Sequence, residues 1–147
     1  LSLGGWTHRH QFKHLAALIK SVALLEFNLI DIDWEFDSLE QAHHLADDYA
    51  RLISEISAIK QVSCAIALNQ LFLVQDCLPC LQFVTLMAYD QSGPWSATAD
   101  HYAPYDSIRC LLPLRPKYLV GISLGRCLFY SSQAPGGPYS HCEIQPW

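Results

Sequence analysis

The segment Phe27–Glu35 constrains this chain more than any other. From Ile30 onward, apolar and acidic residues alternate without a break: Ile30, Ile32 and Trp34 against Asp31, Asp33 and Glu35. Extended chain sends successive side chains to opposite faces. The pattern therefore predicts a strand with three carboxylates on one face, each about 7 Å from the next. The other face is wholly apolar. A strand buried in a parallel sheet should be apolar on both faces, and unpaired buried charge is strongly disfavoured. The alternative is an edge strand with a solvated acidic face; the apolar back favours a site. Crowded carboxylates cannot all stay ionised near neutrality, so at least one is pushed to hold its proton, which is how a site makes a general acid.

The segments around this strand alternate in kind. Leu1–Leu3 reads as the tail of a strand ending in Gly4-Gly5. Phe12, Leu15, Ala16, Ile19, Val22 and Ala23 form one helical stripe. Ala42, Leu45, Ala46, Tyr49, Leu52, Ile53 and Ile56 give the clearest amphipathic helix. Val62–Leu68, Phe83–Ala88 and Tyr118–Ile122 are short apolar runs of strand length. Residues 92–116, with Pro94, Pro104, Pro113 and Pro116, read as loop. The tail around Pro135-Gly136-Gly137-Pro138 reads as irregular. Strands alternating with helices predict an α/β fold with a parallel sheet. Gly4-Gly5 before Trp6 is not the spacing of a dinucleotide loop, which tilts the expectation from a doubly wound sheet toward a (β/α)8 barrel.

Composition excludes several other classes. The 147 residues are 51% apolar and 16% charged, enough for a core and a prior for one domain. With 9 basic and 14 acidic residues the formal charge is −5, and no basic run exists, so no nucleic-acid partner is expected. No apolar run is long enough to cross a bilayer as a helix, so no membrane span is expected. The chain opens at Leu1 and its only Met is Met87, which reads as a piece of a longer sequence or a processed product.

The six cysteines are Cys64, Cys77, Cys80, Cys110, Cys127 and Cys142. An even count leaves three disulfides open. Cys77-Leu-Pro-Cys80 has C-x-x-C spacing, but no second pair matches it for zinc. His8-Arg9-His10 and His43-His44 lack the i, i+4 spacing of a helical metal site and read as surface histidines. No metal and no cofactor are expected.

The acidic strand resembles the D-x-x-D-x-D-x-E signature of glycoside hydrolase family 18, the chitinase family. Ser2-Leu3-Gly4-Gly5 resembles that family's S-x-G-G strand. Met87-Ala88-Tyr89-Asp90, with Gly93-Pro94-Trp95 after it, resembles its M-x-Y-D strand and the following loop. Gly121 to Arg126, then Gly136-Gly137-Pro138-Tyr139, resembles its strand-seven region. The matches come in the family's order. They imply a partial (β/α)8 TIM barrel covering roughly strands three to seven, in a single truncated catalytic domain over residues 1–147.

The resemblance also implies a chemistry. The family cleaves β-1,4 bonds between N-acetylglucosamine units with retention, and the substrate's own acetamido oxygen is the nucleophile, through an oxazolinium ion. Glu35 would protonate the leaving oxygen and later activate water. Asp33 would orient the acetamido group and balance its charge, and Asp31 would support Asp33 by sharing a proton. Tyr89 and Asp90 would hold the acetamido group and the reacting sugar beside Met87. Trp6 and Trp95 would stack on sugar faces, although core packing explains a tryptophan equally well. The implied partner is chitin or a chitooligosaccharide, the implied action endo-acting, and the implied location extracellular.

Four departures stand against the family pattern. Asn28 replaces the first Asp of the signature. Leu29 replaces the following Gly, with the parity of the acids. Leu124-Gly125-Arg126 stands where the family has Tyr-Gly-Arg, in a segment one residue short. The length is below the roughly 200 residues that a complete barrel needs at minimum. Open edges of an incomplete barrel leave backbone groups unpaired, so a chain of this extent is expected to be marginal, to oligomerise or to belong to a larger whole. Two other readings remain: a non-catalytic carbohydrate-binding relative, which Asn28, Leu29 and the missing Tyr favour and Glu35 opposes, and an inactive fragment.

Overall fold

The computed structural model describes residues 1–109, 111 and 117–146. The chain divides into two compact units. One comprises residues 1–86 together with 117–119; the other comprises residues 87–109, 111 and 120–146.

Five strands form one parallel sheet in sequence order: β1 (Ser2–Gly4), β2 (Leu29–Asp33), β3 (Gln61–Ala67), β4 (Leu81–Met87) and β5 (Tyr118–Gly121). The β1–β2 and β2–β3 ladders are parallel, with Ser2 opposite Asp31 and Asp31 opposite Ser63. Parallel neighbours need crossover connections, and helices supply them. A 3-10 helix (Trp6–His14) and α1 (Leu15–Ala23) follow β1; α2 (Leu39–His44) and α3 (Ala46–Ser57) follow β2. This is the α/β arrangement expected of barrel strands three to seven, five in number.

α3 is the helix on which the first unit is built. Tyr49, Leu52, Ile53 and Ile56 stand at i, i+3, i+4 and i+7 and have no exposed surface. They meet the apolar side of the sheet, where Ile30, Ile32, Val62 and Cys64 are equally inaccessible. The single amphipathic stretch expected over 42–56 is two helices, because the backbone opens at Leu45 to φ −101°, ψ 12°. α2 begins at Ser38, whose hydroxyl accepts the Gln41 amide at 3.1 Å and satisfies one donor of the helix start.

The stripe read from Phe12 to Ala23 needs correcting. Phe12 lies in the 3-10 helix, and only Phe12, Leu15 and Val22 are buried, while Ala16 and Ala23 face solvent. The tail is also more ordered than expected. β6 (Gly125–Tyr130) and β7 (His141–Pro146) pair antiparallel, with Phe129 opposite Cys142, and the Pro-Gly-Gly-Pro run lies in the loop between them. Apolar residues fall on both faces of β6, so no period of two marks it in the sequence. The loop expected over 92–116 holds one helical turn, α4 (Asp106–Arg109); Cys110, Pro113 and Pro116 lie outside the described residues. Among the described residues no helix is long and apolar enough to cross a membrane.

Candidate active site

β2 presents its acids as the alternation requires. Ile30, Ile32, Trp34 and Phe36 are buried, and Leu29, Asp31, Asp33 and Glu35 between them are half-buried. The strand itself ends at Asp33, but the alternation runs through Glu35, just past its carboxyl end. Behind the strand, Trp34 explains why the chain holds this direction. Its ring stacks on Phe12 at 4.7 Å and on Phe36 at 4.9 Å, and Tyr49 tilts against it at 6.0 Å. With the even-numbered residues locked into this aromatic cluster, the odd-numbered ones are committed to the other face.

Asp31 is held from both sides. The parallel register sets Ser2 and Ser63 beside it. Ser63 Oγ donates to Asp31 Oδ1 at 2.6 Å, and Ser2 Oγ donates to Oδ2 at 3.1 Å. Asp33 has the opposite environment. Burial, and then the charge of Asp31, push its carboxyl above the ordinary carboxylate value, and its Oδ1 is buried with no hydrogen-bond partner. The neighbouring acids thus differ: Asp31 accepts two hydroxyl hydrogen bonds, and Asp33 is biased toward holding a proton. Crowding alone suggested that some acid would; only the register shows which.

The turn after β1 closes against Asp33. Gly5 N–H donates to the Asp33 carbonyl at 2.8 Å. Gly4 sits at φ +124°, and a Cβ there would lie 2.1 Å from the same carbonyl oxygen, so only glycine fits. Trp6 follows directly. It is 52% exposed, which settles against core packing, and Arg9 lies over its ring with Cζ 3.8 Å from the centroid.

The remaining expected residues belong to the second unit. Met87 and Tyr89 are half-buried and Asp90 is exposed, in a left-handed conformation at φ 59°. The Tyr102 hydroxyl bonds to Asp90; burial first, and that bond next, raise the Tyr102 phenol above its ordinary value. Trp95 is 59% exposed, and its ring lies against Gly93, where a Cβ would come within 2.6 Å of it. Leu124, at the position of the absent Tyr, is exposed. Ser63 and Arg9 went unnoticed in the sequence. Ser63 could have been found by pairing Val62–Leu68 against the acidic strand in parallel register.

Cys77 is buried and its thiol is pushed up to about 11 by burial, whereas a redox cysteine needs a lowered one. Cys64, Cys77, Cys80, Cys127 and Cys142 are all free thiols. His43 stacks on Phe72 at 4.0 Å, and His10 lies 3.8 Å from Asp37.

The family model of the family 18 glycosyl hydrolases matches residues 1–111. The chain belongs to that family. Solved structures of family 18 proteins share its fold at low identity. A Cycas revoluta chitinase solved with (GlcNAc)4 is 22% identical, with a TM-score of 0.73 over 97% of this chain and 56% of that one. A chitinase from Bacillus thuringiensis is 18% identical, with a TM-score of 0.69 over 95% of this chain and 30% of that one. The Group IV chitinase of Ostrinia furnacalis, solved with allosamidin, is 16% identical, with a TM-score of 0.63 over 97% of this chain and 50% of that one. The family 18 chain described here therefore spans between about a third and just over half of these proteins, and it carries their barrel fold in part.

Proposed function

We propose that this family 18 chain carries the acid–base strand of a chitinase-type glycosidase, cleaving β-1,4 bonds between N-acetylglucosamine units with retention. The observation that carries the reading is the contrast along β2: Asp31 is bonded to two hydroxyls, and Asp33 is biased toward its protonated form beside it. Substrate-assisted cleavage needs that contrast. Asp33 can accept the acetamido N–H, which turns the acetamido carbonyl oxygen toward the anomeric carbon, while Glu35 protonates the leaving oxygen. As positive charge develops on the acetamido nitrogen, Asp33 passes its proton toward Asp31 and becomes the balancing anion. Glu35, now ionised, takes a proton from the water that opens the oxazolinium ring.

In this reading Tyr89 and Asp90 hold the reacting sugar beside Met87, Trp6 and Trp95 stack on sugar rings, and both units belong to one catalytic domain. The substrate is chitin or a chitooligosaccharide cut internally, and the protein works outside the cell. The test is turnover and binding of chitotetraose by the parent chain and by Glu35→Gln. We expect turnover to fall by at least about a hundredfold in the variant, with binding retained. Binding without turnover in the parent would favour a lectin-like relative, and neither would leave the chain as an inactive fragment.

A further inference from the structure

Arg9 links the 3-10 helix that follows β1 to the loop that follows β2, and no step of the reaction above uses it. Three of its contacts converge. Its guanidinium covers the Trp6 ring, with Cζ 3.8 Å from the centroid. Its Nη1 donates to the Trp6 carbonyl, and its Nε donates to Asp37 Oδ1 in an ion pair. Arg9 thus grips Trp6 by both ring and backbone, and it ties the 3-10 helix after β1 to the loop after β2.

Asp37 is itself fixed. Its carboxylate also accepts Gln41 Nε2 at 3.4 Å, and its amide donates to Gln41 Oε1 at 2.7 Å, at the start of α2. Its carboxyl lies below the ordinary value, chiefly because Arg9 bonds to it. Asp37 stands two residues beyond Glu35, separated from it only by Phe36, which is 5% exposed and stacked on Trp34. The anchor of Arg9 is thus built on the same short run of chain that carries the proton donor.

We propose that Arg9 is a positioning residue that makes Trp6 a one-faced platform. The guanidinium occupies one face of the indole, and the other is left for the apolar face of a pyranose ring. Arginine suits this task because its flat, permanently charged fork can stack on a ring while bonding a carboxylate in its own plane. An exposed, unclamped tryptophan turns among rotamers and loses that freedom on binding; one already clamped loses less, and the gain appears as affinity. The sugar as occupant rests on the function proposed above, whereas the clamp rests on the contacts of Arg9 alone.

Two measurements test it on the chain as it is. The first is acrylamide quenching of Trp6 fluorescence, taken as the difference between each protein and its Trp6→Phe counterpart. In Arg9→Gln the quenching constant of Trp6 rises about twofold, as the covered ring face opens. In Arg9→Lys the rise is smaller, because an ammonium keeps the charge but not the stack. The second is steady-state hydrolysis of chitotetraose. In Arg9→Gln, KM rises about tenfold while kcat stays within about twofold of the parent. An unchanged quenching constant in Arg9→Gln overturns the clamp. A fall in kcat at constant KM overturns the platform role. If the parent neither binds nor cleaves chitotetraose, the proposed function fails, and the quenching result still decides whether Arg9 fixes Trp6.

Discussion

Ser63 and Asp31 are register partners across the β2–β3 ladder, and the buried Ser63 hydroxyl donates to Asp31 Oδ1 at 2.6 Å. A hydrogen bond to a charged group is worth about 1.5–3 kcal/mol. Ser63→Ala is therefore expected to lower stability by about that amount in thermal melts near neutral pH. It also leaves the Asp31 carboxylate free to turn away from Asp33, so kcat/KM for chitotetraose falls by about tenfold. Ser2→Ala removes the longer, more exposed bond at 3.1 Å and has the smaller effect on both. Equal effects of the two variants would argue against Ser63 as the principal support.

Asp33 gives a pH signature of definite sign. Its carboxyl is raised in the folded chain above the ordinary value near 3.8. Between that value and the folded one, the native state binds more protons than the unfolded state, so stability falls as pH rises through this window. Above it, the charged, buried Asp33 costs stability in full. Asp33→Asn is expected to melt higher than the parent at pH 7 and no higher at pH 3. Unfolding followed at both values decides the matter, and a parent stabilised by Asp33 at pH 7 would contradict the stated environment.

Trp34 sets the direction of the acidic face through its stack between Phe12 and Phe36. Trp34→Ala deletes the largest ring of that cluster, and large-to-small changes of this kind cost about 3–5 kcal/mol. The variant is expected to lose most of its cooperative unfolding signal in urea. Trp34→Phe keeps a ring in the stack and costs less.

Gly4 and Gly136 form a matched pair. Both have positive φ, but a Cβ at Gly4 would strike the Asp33 carbonyl at 2.1 Å, whereas at Gly136 nothing lies within 4 Å. Gly136→Ala meets only backbone strain of about 1 kcal/mol. Gly4→Ala must displace β1 from β2 as well, and its melting temperature is expected to fall much further.

Buried thiols separate structural from reactive cysteines. Burial pushes Cys64 up to about 12 and Cys77 up to about 11, so neither offers a thiolate at pH 8. Iodoacetamide is expected to leave both unmodified in the native chain and to modify both after unfolding, as read by peptide mass spectrometry. Rapid native labelling of Cys77 would argue for a reactive role of the C-x-x-C pair.

Much of the fold could be read along the chain because its signals are local. The alternation from Ile30 to Glu35 needs only the period of extended backbone, and it assigned the acids to one face and Trp34 to the other. Tyr49, Leu52, Ile53 and Ile56 likewise needed only helical spacing. The reading failed where local signals conflict. Phe12 has helical spacing to Leu15, yet it belongs to a tighter 3-10 turn drawn in by its stack on Trp34. β6 carries apolar residues on both faces, so only its pairing with β7 makes it a strand.

The sequence by itself determined that three carboxylates stand in line on an apolar-backed strand, since parity along one extended segment depends on nothing beyond that segment. It could not say which acid gathers hydroxyl donors and which is pushed toward its proton. That was decided by the register of β1 and β3 against β2, which brings the hydroxyls of Ser2 and Ser63 to Asp31 and none to the buried Asp33 Oδ1. Protonation depends on desolvation and on donors from other strands, and those exist only once distant parts of the chain have come together.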